Sequence, residues 1–248
     1  MAANPICAAE CPAVVVVIPV FNERATLVDV VQEVVAVLAR LDVSSHVWVL
    51  NDASTDWSAE LEQAVETCGP VSVVNRSVNE GKGAVLNWAF GNIEARHMVV
   101  IDADGEYRPA EIPDVLAPLL AGEADWVMGV RYGFGRPRPD QYLATFLVNR
   151  LLSGWFNLLA RHTTADLLTG LYGFRMECVR GLTLYERRFA YTPELIWKVL
   201  RSTRPRWREV PVSYRFRSYA QGKTIRWWET FTILAATLRY SMPWARRS

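Results

Sequence analysis

Over the first 130 residues, short branched apolar runs alternate with segments whose apolar positions recur every three or four residues. Residues 13–18 form a continuous apolar run and predict a strand. Leu27, Val30, Val31, Val34, Val35 and Leu38 then fall at helical spacing, with Thr26 and Asp29 placed like a capping pair. Residues 46–50 predict a second strand, 59–67 a helix, 71–75 a third strand and 84–95 a helix. A fourth strand is predicted over 97–101, a helix over 109–120 with Pro109 in its first turn, and a fifth strand over 125–130. This alternation predicts an α/β fold: a mostly parallel sheet with helices on both faces.

The rhythm changes after residue 130. Residues 132–142 are rich in Gly, Pro and Arg and read as a loop. Residues 143–160 predict one long helix. Thr169-Gly170 precedes a short strand and helix, followed by a helix over 193–201 and a strand over 207–212. Residues 215–223 make a basic loop. A last helix is predicted over 224–240, with Trp228, Phe231, Ala235 and Leu238 on one stripe. There is no internal repeat. The expected organisation is an N-terminal extension over 1–12, one domain over 13–224 with halves 13–130 and 131–224, and an amphipathic C-terminal helix over 225–248.

Chemistry gathers where predicted strands end. Residues 98–106 read Met-Val-Val-Ile-Asp-Ala-Asp-Gly-Glu, a buried-strand pattern that delivers Asp102 and Asp104 to its carboxyl end, where open α/β sheets place ligands. Residues two apart on an extended backbone share a side. Two carboxylates there form a hard oxygen site suited to a divalent cation that also holds phosphate oxygens. Strand one ends in Ile18-Pro19-Val20-Phe21-Asn22-Glu23 and strand two in Asn51-Asp52-Ala53-Ser54, on the same expected edge. Asn79-Glu80-Gly81-Lys82-Gly83 follows strand three. Its glycines permit close backbone approach, it opens a helix at the positive end, and Lys82 is placed to meet a phosphate.

Composition adds a polarity along the chain. The net charge is +1, yet residues 1–186 carry 13 Lys/Arg against 23 Asp/Glu, and residues 187–248 carry 14 against 3. Five of the ten Trp lie in that basic quarter, which suggests a nucleic acid or an anionic membrane surface as partner. No nucleic-acid-binding motif accompanies the charge, so nucleic acid is not expected. No apolar run reaches the roughly 18–20 residues of a membrane span. Cys7, Cys11, Cys68 and Cys178 lack zinc spacing and read as reduced thiols. A cytoplasmic protein is expected.

Ile-Pro-Val-Phe-Asn-Glu, Asn-Asp-Ala-Ser-Thr-Asp, Asn-Glu-Gly-Lys-Gly and Asp-Ala-Asp-Gly-Glu occur in that order. Together they resemble the inverting family 2 glycosyltransferases of the GT-A fold. Asp166-Leu-Leu-Thr169-Gly170 resembles that family's Asp-x-x-Ser/Thr-Gly. The segment from Glu209 to Lys223 resembles the Glu-Val-Pro-Ile region of dolichyl-phosphate mannosyltransferases and polyprenyl-phosphate sugar transferases. The match runs over about residues 13–224.

The resemblance implies roles. Pro19, Asn22, Glu23, Asn51, Asp52, Ser54, Lys82, Asp102 and Ala103 would bind the nucleotide sugar. Asp102, Asp104 and Glu106 would hold Mg²⁺ or Mn²⁺ against the diphosphate. Two departures stand out: Asn51-Asp52-Ala53-Ser54 replaces Asp-Asp-Gly-Ser, and Glu106 replaces a common Gln. Arg131, Arg217 and Lys223 would stabilise charge developing on the leaving diphosphate, and Arg131 and Arg150 would meet an acceptor phosphate. A lipid phosphate is already an anionic nucleophile, whereas a hydroxyl needs a base. Asp166 or Glu194 would be that base for a hydroxyl, and Asp166 would orient its loop for a phosphate.

The expectation is therefore metal-dependent, inverting hexosyl transfer, of mannose or glucose, from a GDP- or UDP-sugar donor to a polyprenyl phosphate acceptor. The enzyme would lie peripherally on the cytoplasmic membrane face, with a separate membrane-protein partner left open. The alternatives are transfer to a hydroxyl of a glycan or glycolipid and a non-catalytic partner-binding protein on the same fold. A nucleotidyltransferase would need an N-terminal Gly-rich triphosphate loop that this chain lacks. Trp227, Trp228, Phe231, Leu238, Tyr240 and Trp244, with nearby Arg residues, fit an interfacial helix as well as a core helix packed on the sheet.

Overall fold

The computed structural model describes residues 11–131, 143–216 and 229–242. Seven strands form one sheet: β1 (Val14–Val20), β2 (Ser45–Asn51), β3 (Val71–Asn75), β4 (His97–Val100), β5 (Trp126–Val130), β6 (Tyr172–Arg175) and β7 (Trp207–Pro211). Their order is β3-β2-β1-β4-β6-β5-β7. All neighbours are parallel except β6, which runs antiparallel to β4 and β5.

The helices are α1 (Leu27–Leu38), α2 (Ala59–Glu66), α3 (Lys82–Asn92), α4 (Ile112–Leu120), α5 (Leu143–Ala160), α6 (Tyr191–Ser202) and α7 (Glu229–Ser241). They cover both faces, so β1 is buried on both sides, which explains its unbroken Val run. Val14, Val16 and Ile18 pack with Leu27, Val31, Val34 and Val115 from α1 and α4. Val15 and Val17 face Leu86, Phe156, Leu195 and Ile233 from α3, α5, α6 and α7.

Several expected elements differ in detail. The helix expected over 84–95 begins at Lys82, because Gly81 takes φ +90° and turns the chain there. The helix expected over 109–120 is a 3₁₀ turn, Pro109–Glu111, followed by α4. Thr26 is the N-cap residue of α1, but its side chain caps nothing; the hydroxyl donates to Ala103 O at 2.8 Å. On α7 the buried face is Ile233, Ala236, Thr237 and Tyr240, while Phe231, Ala235 and Leu238 point outward. Trp227, Trp228 and Trp244 lie outside the described residues, as do the 132–142 loop and most of the basic loop.

Candidate functional site

The carboxyl ends of β1, β2 and β4 converge as their parallel pairing requires. Val20 pairs with Asn51, and Asp52 N donates to Val20 O at 2.9 Å. The first two loops are knitted together by the residues expected to touch nucleotide. Asn22, at φ +57°, accepts from Thr55 N at 2.8 Å, and its own N–H donates to Ser54 Oγ at 3.0 Å. Asn51 Oδ1 accepts from Ser54 N at 2.9 Å, and its amide donates to Asn75 at 2.9 Å. Pro19 and Glu23 stand half-buried beside them.

Asp52 is buried, and both its oxygens are engaged. It accepts from Glu80 N at 3.1 Å and Gly81 N at 2.6 Å, with Arg76 Nε at 3.5 Å. Asp52 therefore shapes the loop that carries Lys82. Gly83 fixes the other side of that loop. Its N–H donates to Arg187 O at 2.7 Å, and a Cβ there would approach the Tyr191 side chain to 2.7 Å. Lys82, the first residue of α3, is delivered onto Asp102 and donates to its Oδ1. Burial opposes that ammonium. The charge of Asp102 overrides burial, with Tyr191 and Asp104 adding to it, so the Lys82 pKa is raised.

Asp102 has Gly170 on its other side: a Cβ at Gly170 would lie 2.7 Å from Asp102 Cγ and would overlap Oδ2. The glycine of the Asp-x-x-Thr-Gly segment thus makes room for the first carboxylate of the Asp-x-Asp pair. Asp104 Oδ1 accepts from Glu106 N at 2.9 Å. Burial, then the charges of Asp102 and Glu106, hold its carboxyl well above the ordinary range, with Glu23 adding to them. Ala103, between the pair, is buried and gives its carbonyl to Thr26.

Glu106 also has a partner of its own. Its Oε2 accepts from the Tyr214 hydroxyl, and its carbonyl accepts from Arg215 N at 2.7 Å. Tyr107 and Tyr214 form a β-bridge with ring centres 5.1 Å apart, and the Tyr107 hydroxyl accepts from Gly170 N at 2.7 Å. These contacts bind the acidic loop to the chain leading out of β7.

Arg131 and Asp166 form a buried bidentate pair. Arg131 Nε and Nη2 donate at 2.8 and 2.7 Å, and Arg131 N donates at 3.0 Å. Asn149 Nδ2 adds a fourth bond to Asp166 at 3.1 Å, and Arg131 Nη2 also reaches Leu168 O at 2.9 Å. Glu194 is equally occupied: it accepts from Tyr185 N at 2.9 Å and Glu186 N at 2.7 Å, with Lys198 Nζ at 2.8 Å. Glu209 accepts from Ala165 N at 3.0 Å, which ties the Glu-Val-Pro segment to the Asp166 loop. Arg150 is exposed on α5. Arg217 and Lys223 lie outside the described residues.

Asn149, Tyr107 and Tyr214 escaped the sequence reading. Asn149 carried a signal, since it is the polar residue in Phe-Leu-Val-Asn-Arg-Leu-Leu and is buried on α5. The tyrosines carried none, because aromatic residues near strand ends usually pack in the core.

Among the described residues no three His, Cys, Asp or Glu side chains converge as a metal-binding cluster. Asp102 and Asp104 nevertheless suit a hard cation. They form an acidic pair with one cationic group already on it, and phosphate oxygens would complete the ligand set.

A family model described as glycosyl transferase family 2 matches residues 15–182. A dolichol-phosphate mannosyltransferase of Pyrococcus furiosus is 27% identical over 216 residues, covering 85% of this chain and 60% of that protein. An undecaprenyl-phosphate 4-deoxy-4-formamido-L-arabinose transferase of Sodalis glossinidius is 28% identical over 215 residues, covering 84% and 61%. The chain thus spans about three-fifths of the length of these relatives. Among solved structures, glucosyl-3-phosphoglycerate synthase from Mycobacterium tuberculosis, crystallised with Mn²⁺, UDP and phosphoglyceric acid, superposes with a TM-score of 0.67 at 20% identity. That match covers 93% of this chain and 78% of the other, and it shows a shared GT-A-type fold.

Proposed function

Since this chain belongs to glycosyl transferase family 2, we propose that it moves a hexosyl group from a GDP- or UDP-sugar to a polyprenyl phosphate with inversion. It is a glycosyltransferase by family; the donor, the acceptor and the metal are our reading. Two curated relatives carry dolichol phosphate or undecaprenyl phosphate in their names, which supports the acceptor class.

The observation that carries the choice of phosphate over hydroxyl concerns Asp166 and Glu194, one of which would have to be the base for a hydroxyl. Asp166 receives four N–H donors and Glu194 is held by two backbone N–H groups and Lys198. A general base needs a free lone pair within reach of the proton it takes. Asp166 has a donor for each of about four lone-pair sites, and Glu194, with Tyr185 N shared between its two oxygens, is like Asp166 fully buried and out of reach of an acceptor proton. A phosphate monoester acceptor is already charged and needs no proton removal. One of its oxygens bonds to the anomeric carbon as the bond to the nucleoside diphosphate breaks on the opposite face, which inverts the centre.

In this reading Asp102 and Asp104 hold Mg²⁺ or Mn²⁺, without Glu106, whose carboxylate is given to Tyr214. A divalent cation bound there supplies positive charge to the departing diphosphate. Lys82 adds a second charge, positioned by the loop that Asp52 fixes. Arg131 sets the Asp166 loop and with it Gly170, while Arg217, Lys223 and Arg150 remain the proposed contacts to diphosphate and acceptor.

Membrane contact is part of the same reading. No helix among the described residues is long and apolar enough to cross a membrane. Leu143, Leu147, Leu151 and Leu158 are exposed along α5, and Phe231 and Leu238 along α7, which packs against it. Exposed Arg150, Arg161 and Arg239 belong to or flank these helices. Such an apolar face with cationic neighbours suits peripheral binding to the anionic cytoplasmic leaflet.

A thermal-shift screen of GDP- and UDP-sugars with and without Mn²⁺ tests the donor site, because a ligand that binds only the folded state raises the melting temperature. The expected result is stabilisation by at least one nucleotide sugar, enhanced by Mn²⁺, with the enhancement lost in Asp104→Asn. No stabilisation by any of them contradicts the reading.

A further inference from the structure

We propose that Lys82 is the resident counter-ion of the Asp102–Asp104 site, and that a divalent cation enters only with a nucleoside diphosphate that draws the ammonium off Asp102. The proposal rests on the donor-site reading above and adds an order to it.

Three placements carry it. Lys82 Nζ donates directly to Asp102 Oδ1, an oxygen of one of the two carboxylates assigned above to the cation. The carboxylate is flanked on its other side by Gly170, where even one added carbon would overlap Oδ2. An incoming cation therefore competes with the ammonium instead of finding Asp102 unpartnered. The Lys82 backbone is itself fixed: Asp52 accepts from Gly81 N at 2.6 Å, and Arg187 O accepts from Gly83 N at 2.7 Å. Exchange is left to the side chain, which has rotatable bonds to spare.

A divalent ion alone gains Asp102 only by expelling an ammonium into a half-buried site lined by Tyr191, whose ring centre lies 6.0 Å from Nζ. That ammonium then has no carboxylate in exchange, which is costly. A diphosphate changes the balance. It offers anionic oxygens to the ammonium of Lys82, the first residue of α3, at the end of the helix whose dipole favours negative charge. The ammonium moves from carboxylate to phosphate, and the vacated Oδ1 becomes available to the cation. Linkage makes the coupling reciprocal: each ligand tightens the other by the same factor.

Mn²⁺ binding measured by electron paramagnetic resonance, on the full chain with no sugar present, tests this directly. Wild type should bind MnCl₂ alone weakly and at least about tenfold more tightly with saturating GDP or UDP. Lys82→Met should bind MnCl₂ alone at least about tenfold more tightly than wild type does, and its gain from nucleotide should shrink. Lys82→Gln serves as a second neutral variant should Lys82→Met fold poorly. Lys82→Arg, which keeps the charge, should retain the wild-type pattern. If the neutral variants bind Mn²⁺ alone no more tightly than wild type, while wild type still binds it with nucleotide, the counter-ion proposal is overturned and the donor-site reading stands. If wild type binds no Mn²⁺ with either nucleotide, both fall.

Discussion

The Tyr214 hydroxyl donates to the Glu106 carboxylate, joining the acidic loop after β4 to the chain that leaves β7 three residues before Arg217. Glu106 stands where related enzymes often carry Gln, and a carboxylate beside Asp102 and Asp104 invites a role as metal ligand. Its contact with Tyr214 gives it another: it fixes the base of the basic loop.

Glu106→Gln should preserve that contact, since an amide oxygen also accepts a hydroxyl proton. Mn²⁺ affinity in the presence of nucleotide should change by less than about threefold. A fall of about tenfold or more, the scale expected of groups that set a metal's coordination, would restore Glu106 to the ligand set. Tyr214→Phe should cost about 1–3 kcal/mol in chemical denaturation, because it leaves a buried carboxylate short of a donor.

Gly170→Ala should abolish transfer while leaving a folded protein. The new methyl would lie within 2.7 Å of Asp102 Cγ and 2.9 Å of the Tyr107 ring. Overpacking of this kind costs roughly 1–3 kcal/mol, but here the displaced atom belongs to the proposed metal site. Circular dichroism together with Mn²⁺ binding in the presence of GDP or UDP separates the two effects: a native spectrum with lost Mn²⁺ affinity is expected, and wild-type affinity would contradict it.

Asp166→Ala should destabilise the fold by about 3–5 kcal/mol, since it strands the buried Arg131 guanidinium. Urea denaturation checks this. A loss below about 1 kcal/mol, the scale of an exposed ion pair, would show that the pair does not organise the 166–170 loop.

Ala53→Gly should be neutral or mildly stabilising. Ala53 sits at φ +58°, a left-handed conformation that costs a non-glycine residue about 1 kcal/mol and glycine almost nothing. The added unfolded-state freedom of glycine offsets about 0.4–1 kcal/mol of that gain. A melting temperature at or slightly above wild type is expected, and a clear decrease would contradict the assigned backbone.

Asp125 predicts an acid-labile contribution. Its side-chain hydrogen bond to Arg206, aided by Arg206 N and the charges of Arg206 and Arg175, lowers its carboxyl to about 2. The folded value lies below the unfolded one, so the stabilisation is present above about pH 4 and is lost as pH falls toward 2. Solvent screening of this half-buried carboxylate, whose partner Arg206 is exposed, limits it to about 1 kcal/mol or less. Asp125→Asn should therefore lower stability at pH 7 and converge with wild type near pH 2, as read by denaturation at both pH values.

The sheet was legible because its strands are apolar runs separated by helical periodicity, and buried parallel strands have few other ways to read. Helix ends were less so. Local sequence suggests that Thr26 caps α1, but Ala103, 77 residues away, takes its hydroxyl. On α7, periodicity gave an apolar stripe through Phe231 and Leu238. The inward face instead includes Thr237, whose hydroxyl is satisfied by Ile233 O at 2.8 Å and so can be buried.

In the site, sequence located the carboxylates and not their commitments. Asp52, Glu106 and Asp166 are bound to partners 29, 108 and 35 residues away. Such long-range pairing leaves no periodic trace. Through those partners Asp52 supports the loop of Lys82, Glu106 the base of the basic loop, and Asp166 the loop of Gly170, the last being the role expected of it with a phosphate acceptor.

The acceptor is the central claim, and a radiolabelled transfer assay addresses it most directly. Purified protein with Mn²⁺ and GDP-mannose or UDP-glucose would be offered a polyprenyl phosphate and, in parallel, the matching polyprenol and a glycolipid. The account predicts a labelled polyprenyl-phosphate sugar of inverted anomeric configuration and no product from either hydroxyl acceptor. Transfer to a hydroxyl with none to the phosphate would contradict it.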